Sequence, residues 1–209
     1  MKESKHLTLS PFNPAYWERS YQSGEMGWDL GKSTPIFDQW IKTCKESLSI
    51  CILGAGNGWD AINFAVMGHM VTAVDFAKSA VRNMQIATEQ NNLEIDIRHM
   101  DIFDLNLVYA NHFDVVLEYT CFCAIDPSRR REYLKMVRHI LKPEGELVGL
   151  LFPIDKQPSE GGPPYAVLLE PTFELISEYF TLIKHEISSL SVKPRIGREI
   201  FVIYRKDGS

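Results

Sequence analysis

The sequence lacks a long apolar run and an excess of basic residues. Its longest apolar stretch, 147–154, is short compared with the roughly 20 residues that a membrane-spanning helix needs. Residues 1–12 contain no apolar segment of the kind that directs secretion. The formal net charge is −5, which provides no electropositive field for nucleic acid or anionic lipid. We therefore expect a cytoplasmic, monomeric protein whose partner is a small molecule, with no nucleic acid and no membrane involved.

Cysteine and histidine are sparse and show no metal-ligand spacing. The four cysteines form no C-x-x-C pair, and the six histidines form no H-E-x-x-H motif. We expect reduced, mostly buried thiols and no metal site. A chain of 209 residues that is 45% hydrophobic and 23% charged fits a single domain.

Short apolar segments alternate with amphipathic ones from Ser47 onward, which predicts strands separated by helices. The predicted strands cover 49–53, 70–74, 94–98, 113–117 and 147–152. This alternation indicates an α/β fold with a doubly wound, mainly parallel sheet covered on both faces. The last two apolar segments, 182–187 and 200–205, lie too close together for a crossover helix, so we predict an antiparallel hairpin. Before the first strand, Thr34 and Pro35 predict the N-cap and first turn of a helix.

The most informative feature is GAGNG at 54–58, which follows the first predicted strand and precedes a helix. Glycine allows a tight turn and lets a ligand approach the backbone beside the free N–H groups of a helix N-terminus. Asp75 ends the second predicted strand, 21 positions after Gly54, where a carboxylate can accept the ribose hydroxyls of a nucleoside. Gly54, Gly56 and Asp75 are therefore candidate cofactor contacts.

Position 59 helps to decide which nucleoside cofactor fits. A dinucleotide fingerprint, G-x-G-x-x-G, needs its third glycine there, and the residue is Trp59. The sequence also has no G-x-x-x-x-G-K-[ST] loop for a nucleoside triphosphate. A cofactor with ribose but without phosphate fits better, and S-adenosylmethionine is such a cofactor.

Another acid follows the third predicted strand, in the sequence Asp101-Ile102-Phe103. A carboxylate at this strand end can accept a hydrogen bond from the exocyclic amine of adenine, while Ile102 and Phe76 can cover the faces of the ring. The alternative is that Asp101 only caps a helix. The local sequence does not distinguish the two.

Several stretches resemble one family of methyltransferases. WERSY at 17–21, GWDLG at 27–31, EYTCFCAI at 118–125 and GGPPY at 161–165 resemble the thiopurine, thiol and halide methyltransferase family. RIGRE at 195–199 resembles the C-terminal hairpin of that family, and LKPEGEL at 141–147 resembles the turn before the fifth strand of class I methyltransferases. The thiol and halide branch is more similar than the thiopurine branch, although Tyr21 and Glu118 replace the Trp and Asp that its plant members tend to have.

This resemblance implies a seven-stranded sheet, a cofactor pocket covered by the N-terminal segment, and a small soft nucleophile as methyl acceptor. We expect one methyltransferase domain, 1–209, with an N-terminal helical lid over 1–46 and a catalytic core over 47–209. By position, the resemblance assigns the cofactor contacts to Trp17, Tyr21, Trp28, Gly54, Asp75, Asp101, Ile102 and Tyr119.

A physical argument supports the aromatic contacts. The methyl donor is a sulfonium cation, and aromatic faces attract such cations by roughly 0.5–2 kcal/mol each. Trp17 and Tyr21 lie four positions apart and share a helical face, while Trp28 lies in a loop. The alternative is that these rings, with Tyr119, are simply part of the core.

Methyl transfer to a thiolate or a halide ion requires no strong general base, because a halide has no proton and a thiol is partly ionised near its pKa of about 8.5. The sequence shows no triad-like set, so we assign no catalytic residue. We expect catalysis to depend on holding both reactants together in a water-poor pocket. Tyr119, Phe122 and Tyr165 are the candidate acceptor contacts.

Other functions remain open on the sequence alone. A thiopurine-type enzyme, or another small-molecule S-, O- or metalloid methyltransferase, would use the same cofactor with a different acceptor. A non-enzymatic module would bind the cofactor without turnover. A nicotinamide dehydrogenase is disfavoured by Trp59.

Overall fold

The computed structural model describes residues 10–208, which form a seven-stranded sheet in the order β3-β2-β1-β4-β5-β7-β6. The strands are β1 (Ser49–Leu53), β2 (Met70–Asp75), β3 (Asp96–His99), β4 (Phe113–Tyr119), β5 (Leu141–Leu151), β6 (Thr181–Glu186) and β7 (Ile200–Arg205). The α-helices are α1 (Pro14–Ser23), α2 (Pro35–Ile41), α3 (Trp59–Val66), α4 (Lys78–Gln90), α5 (Arg130–Ile140) and α6 (Leu169–Ser177). Residues 1–9 of the predicted lid lie outside the described residues.

The strand directions confirm the predicted α/β class with its C-terminal hairpin. Strands β1 to β5 pair in parallel, whereas β7 is antiparallel to both β5 and β6. The direction of winding reverses between β1 and β4, which are neighbours at the centre of the sheet. Ligands of such sheets bind outside the carboxyl ends of the strands at this reversal, which here are the ends of β1 and β4.

The core lies on both faces of the sheet, as alternation along β1 shows. Every residue of β1 is buried. Cys51 and Leu53 pack into the apolar layer beneath α5, while Ile50 and Ile52 pack into the layer beneath α2 and α3. Because side chains alternate across a strand, a continuous apolar run is what a doubly covered strand requires.

Helix α1 contributes nothing to this core, since none of its residues is buried. Asn13 caps its first turn by accepting a hydrogen bond from the Ala15 backbone N–H at 3.0 Å. Glu18 connects the helix to α4, because its carboxylate accepts a hydrogen bond from the Ser79 backbone N–H at 2.9 Å and another from the Ser79 hydroxyl. Polar contacts to α4 therefore help to hold this helix in place.

One local prediction was wrong in detail. Strand β5 begins at Leu141 rather than at residue 147, because the predicted turn over 141–147 is a bulge inside the strand, where the register jumps from Phe113↔Leu141 to Val115↔Glu146. Thr34 occupies the N-cap position of α2 and Pro35 its first turn, as predicted, although the Thr34 side chain makes no cap hydrogen bond. Its hydroxyl donates instead to the Asp60 carboxylate on α3 at 2.9 Å.

The described residues contain no helix that is both long and apolar enough to cross a membrane. Within the same residues, no group of three or more His, Cys, Asp or Glu side chains is arranged to hold a metal ion. All four cysteines are free thiols.

Candidate active site

A cavity of about 430 Å³ lies at the carboxyl ends of the central strands and is bordered by α1. This volume is in the range of pockets that hold small organic ligands, roughly 300–1,000 Å³. Its wall contains most of the predicted cofactor contacts: Trp17, Tyr21, Trp28, Gly54, Asp75, Phe76, Asp101 and Ile102. A smaller adjoining cavity shares Trp28 and Gly54 with the main one and is bordered by the remaining two, Gly56 and Tyr119.

The glycine turn after β1 lies close to side chains from other parts of the fold. Gly54 and Gly56 have φ angles of 58° and 59°, in the left-handed region that favours glycine. A Cβ atom on Gly54 would lie 3.3 Å from the Cys121 thiol, and one on Gly56 would lie 3.3 Å from the Tyr21 hydroxyl. A side chain at either position would therefore crowd its neighbours, and the two glycines border the cavities with backbone atoms alone.

Asp75 ends β2 and is buried, with 5% of its surface exposed. One carboxylate oxygen accepts a hydrogen bond from the Gly56 N–H at 3.0 Å, and the other accepts one from the Ala77 N–H at 2.8 Å. Burial raises the pKa of this carboxyl to about 6, against the opposing effect of these backbone hydrogen bonds. Since each carboxylate oxygen has a second lone pair, Asp75 retains the capacity to accept ligand hydroxyls.

Asp101 caps a helix and also lies on the cavity wall. Its carboxylate caps the 3₁₀ helix Ile102–Leu107 by accepting the Phe103 N–H at 3.0 Å. Asp101 also lines the main cavity, as Ile102 and Phe76 do. The cap occupies only one oxygen of the Asp101 carboxylate, so the cap does not prevent the other oxygen from accepting a hydrogen bond from a ligand.

Three aromatic side chains, Trp17, Tyr21 and Trp28, form what we call the aromatic cluster. The Trp28 ring lies 5.2 Å from the Trp17 ring and 5.8 Å from the Tyr21 ring, both edge to face. The Trp17 indole N–H donates to the Pro11 carbonyl at 2.8 Å, which fixes its orientation. All three rings are half-buried and line the cavity, so they are not simply core.

These residues fit S-adenosylmethionine. The molecule has ribose hydroxyls, an adenine ring and a sulfonium cation. The cavity wall offers groups suited to each of them, namely a buried acid beside a glycine turn, a second acid with an apolar pair, and an aromatic cluster. The family model for Thiopurine S-methyltransferase (TPMT) matches residues 12–201.

The chain belongs to the thiopurine S-methyltransferase family.

Relatives at the level of sequence support this membership. The chain is 32% identical to a probable thiol methyltransferase 2 of Arabidopsis thaliana, over 98% of the chain and 90% of that protein. It is 30% identical to thiocyanate methyltransferase 1 of Brassica oleracea, over 88% of the chain and 81% of that protein. The member described here is thus an S-adenosylmethionine-dependent methyltransferase, as its sequence predicts.

The fold has matching solved structures. One is a 1,6-didemethyltoxoflavin-N1-methyltransferase of Burkholderia thailandensis with bound 1,6-didemethyltoxoflavin and S-adenosylhomocysteine, which matches with a TM-score of 0.75. That match covers 98% of this chain and 93% of the other at 20% sequence identity, so it shows the fold alone.

Tyr119 does not join the aromatic cluster of this methyltransferase. Its ring packs edge to face on Phe37 at 5.7 Å, and the Arg195 guanidinium lies 4.6 Å above it. Its hydroxyl donates to the Glu199 carboxylate at 2.9 Å. One face of Tyr119 is therefore already covered by a cation, and the residue borders only the smaller cavity.

The structure does not place Phe122 or Tyr165 on the main cavity wall. Phe122 is 2% exposed and packs on Tyr133 in the core, because its backbone N–H donates to the buried Glu118 carboxylate and turns the loop inward. The neighbouring residues Cys121 and Cys123 line the cavity instead. Tyr165 is half-buried beside the cavity, where its N–H donates to the Cys123 carbonyl, and the preceding prolines form the wall.

Sequence reasoning assigned no site role to several residues. Glu118 is 3% exposed and accepts hydrogen bonds from the Phe122 N–H and the Tyr133 hydroxyl, both at 2.8 Å. Burial raises its pKa to about 7. Arg195 lines the cavity although it is 3% exposed. The resemblance of 195–199 to the family's hairpin was the signal for Arg195, whereas nothing local marks Glu118 as buried.

Proposed function

We propose that this methyltransferase transfers the methyl group to a small soft anion, such as a thiolate, a halide or a thiocyanate ion. The observation that carries the proposal is the composition of one part of the cavity wall. There, the segments after β4 and β5 and the segment before β7 contribute Cys121, Phe152 and Arg195, which are polarisable, apolar and cationic. The relatives named thiol methyltransferase and thiocyanate methyltransferase are consistent with such an acceptor.

We assign the cofactor's parts to the wall as follows. When the cofactor is bound, Asp75 would accept hydrogen bonds from the ribose hydroxyls, Phe76 and Ile102 would cover the adenine faces, and Asp101 would accept a hydrogen bond from the adenine amine. Gly54 and Gly56 leave room for the methionine portion. The aromatic cluster would lie near the sulfonium, because ring faces attract a cation.

The protein contributes to the reaction by holding the two reactants together and by removing water from the anion. When bound, S-adenosylmethionine supplies an electrophilic methyl group on a positively charged sulfur, and an anion that accepts it has no proton to lose. The cavity wall therefore needs no general base, and we assign none to Tyr119 or to any other residue. Holding two reactants in line is worth up to about 7–11 kcal/mol, and a closed apolar wall removes water from the anion.

We propose that residues 1–46 act as a lid on a catalytic core formed by 47–209. Two contacts support this division: Glu18 of α1 binds Ser79, and Asp29 accepts the Trp59 indole N–H at 2.9 Å. We further propose a cytoplasmic monomer that does not act on nucleic acid, in keeping with its four free thiols and its net charge of −5. Size-exclusion chromatography with light scattering tests the monomer.

The test is a two-stage assay on the purified protein. Calorimetric titration with S-adenosylhomocysteine comes first, and we expect saturable binding. An acceptor panel of iodide, thiocyanate, hydrosulfide, 6-mercaptopurine, phenol and arsenite follows, with methylated products identified by mass spectrometry. We expect the first three to be methylated fastest. Preference for 6-mercaptopurine, phenol or arsenite would assign a different acceptor class, and binding without any turnover would contradict the proposal.

A further inference from the structure

Arg195 is an unusual part of the cavity wall because it is a buried cation. Only 3% of its surface is exposed, and the rings of Tyr119 and Phe152 lie 4.6 Å and 5.4 Å from its guanidinium carbon. One terminal nitrogen, Nη2, donates to the Trp28 carbonyl. The other, Nη1, is buried and has no hydrogen-bond partner among residues 10–208.

Its charge also lacks an ion-pair partner, in contrast to the other two arginines of the wall. Arg198 pairs with Asp155 at 2.7 Å, and Arg129 pairs with Glu132 at 2.8 Å. No carboxylate in the described part of the chain lies within ion-pair distance of Arg195.

Glu199 is an acid that interacts electrostatically with Arg195 but forms no ion pair with it. It is 1% exposed, its Oε2 accepts the hydroxyl of Tyr119, and burial raises its pKa. Its Oε1 is buried without a hydrogen-bond partner in the described part of the chain. A buried charge without a close counter-charge destabilises the protein. Such a cost is offset when an anion occupies the space beside it.

We infer that Arg195 determines the specificity of this methyltransferase for negatively charged acceptors. The inference rests on the proposed function and names the residue that enforces it. In the low dielectric of a closed cavity, a guanidinium on the wall offsets the desolvation of an entering anion, and it gives no such benefit to a neutral nucleophile. Arg195 therefore favours binding of the anion in the cavity, before the methyl group is transferred.

The first experiment compares Arg195→Met with Arg195→Lys, using thiocyanate as acceptor. We expect Arg195→Met to raise the KM for thiocyanate at least tenfold, and Arg195→Lys to restore part of the loss because it keeps the charge. Arg198→Met is the matched comparison, since Arg198 lines the same cavity but is neutralised by Asp155. Its effect on KM should be smaller.

A structural effect must be separated from an electrostatic one, because Arg195 also holds the Trp28 carbonyl. The Kd of S-adenosylhomocysteine, followed by tryptophan fluorescence, reports on the position of Trp28 and should change less than threefold in Arg195→Met. Glu199→Gln provides a test in the opposite direction that does not depend on Arg195→Met folding. It removes the competing negative charge and keeps an acceptor for Tyr119, so the KM for thiocyanate should fall.

The outcomes distinguish a failure of the proposed function from a failure of the role assigned to Arg195. If the wild-type enzyme binds S-adenosylhomocysteine but methylates no anion, the proposed function fails. If it methylates thiocyanate and the KM is unchanged in Arg195→Met, only the role of Arg195 fails. A KM that rises in Glu199→Gln as much as in Arg195→Met would show that the pair acts structurally, and would overturn the inference.

Discussion

Asp75 is buried at the end of β2, and its pKa is raised to about 6 because burial disfavours the charged form. In our assignment the carboxylate accepts ribose hydroxyls, so cofactor binding favours its ionised form. Affinity is therefore full above the raised pKa and decreases as the pH falls through it.

We predict that the Kd of S-adenosylhomocysteine is about tenfold larger at pH 5 than at pH 8, since a single titrating group changes occupancy tenfold per pH unit. Asp75→Ala should weaken binding at least tenfold at pH 8, because hydrogen bonds to charged groups are worth about 1.5–3 kcal/mol. Calorimetry across this range checks both. An equally steep profile in Asp75→Asn would show that another group titrates.

The aromatic cluster gives a second test at this scale, based on charge. S-adenosylmethionine is a sulfonium cation, whereas S-adenosylhomocysteine is a neutral thioether of nearly the same shape. Trp28→Leu should weaken binding of the cation by roughly two- to thirtyfold more than binding of the thioether, as cation–π energies of about 0.5–2 kcal/mol imply. Trp40→Leu is the control, because Trp40 packs on Phe64 away from both cavities. An equal loss of affinity for both ligands in Trp28→Leu would indicate that Trp28 contributes to binding by packing alone.

At the scale of elements, α1 is stabilised at its ends but held in place by few contacts. Asn13 caps its start, Gly24 ends it in the left-handed conformation, and none of its residues is buried. Its polar connection to the core is the pair of hydrogen bonds from Ser79 to Glu18. An element with so little buried apolar surface is expected to open locally without global unfolding.

We predict that Glu18→Ala increases hydrogen exchange of 14–23 by about three- to tenfold, since hydrogen bonds of this kind are worth roughly 0.5–1.5 kcal/mol. The melting temperature should change little, because no apolar contact is lost. Glu25→Ala, at an exposed position in the following loop, is the matched control. Exchange that stays at the wild-type rate in Glu18→Ala would mean that Glu18 does not hold the lid.

At the scale of the whole molecule, the protonation of Glu118 makes the stability of the fold depend on pH. Its pKa is raised by burial from 4.5 to about 7, so the folded state binds a proton that the unfolded state releases between these values. The contribution to stability is therefore greatest below pH 4.5 and is lost as the pH rises to 7.

We predict that the free energy of unfolding falls between pH 5 and pH 8, and that Glu118→Gln reduces this fall by roughly 3 kcal/mol, at 1.4 kcal/mol per pKa unit. The glutamine oxygen can still accept one of the two hydrogen bonds, so the variant should fold. Urea denaturation at several pH values measures the difference between the two proteins. Parallel curves would assign the pH dependence to other buried acids.

The amino-acid pattern alone determined those parts of the protein that depend on neighbours along the chain. Apolar runs and short connections predicted the sheet and its hairpin, since strand period and crossover length are local properties. Glycines before a helix and an acid at the next strand end predicted the turn and Asp75. Trp17 and Tyr21 share a face because one helical turn separates them.

Tertiary structure alone decided which side chains meet across long separations. Arg195 binds the carbonyl of Trp28, 167 positions away, and covers Tyr119, which the sequence had grouped with the aromatic cluster. Phe122 points into the core because Glu118 captures its backbone N–H. The physical reason is that most buried hydrogen-bonding groups are paired with whichever group the fold places beside them, and residue type and spacing do not encode that location.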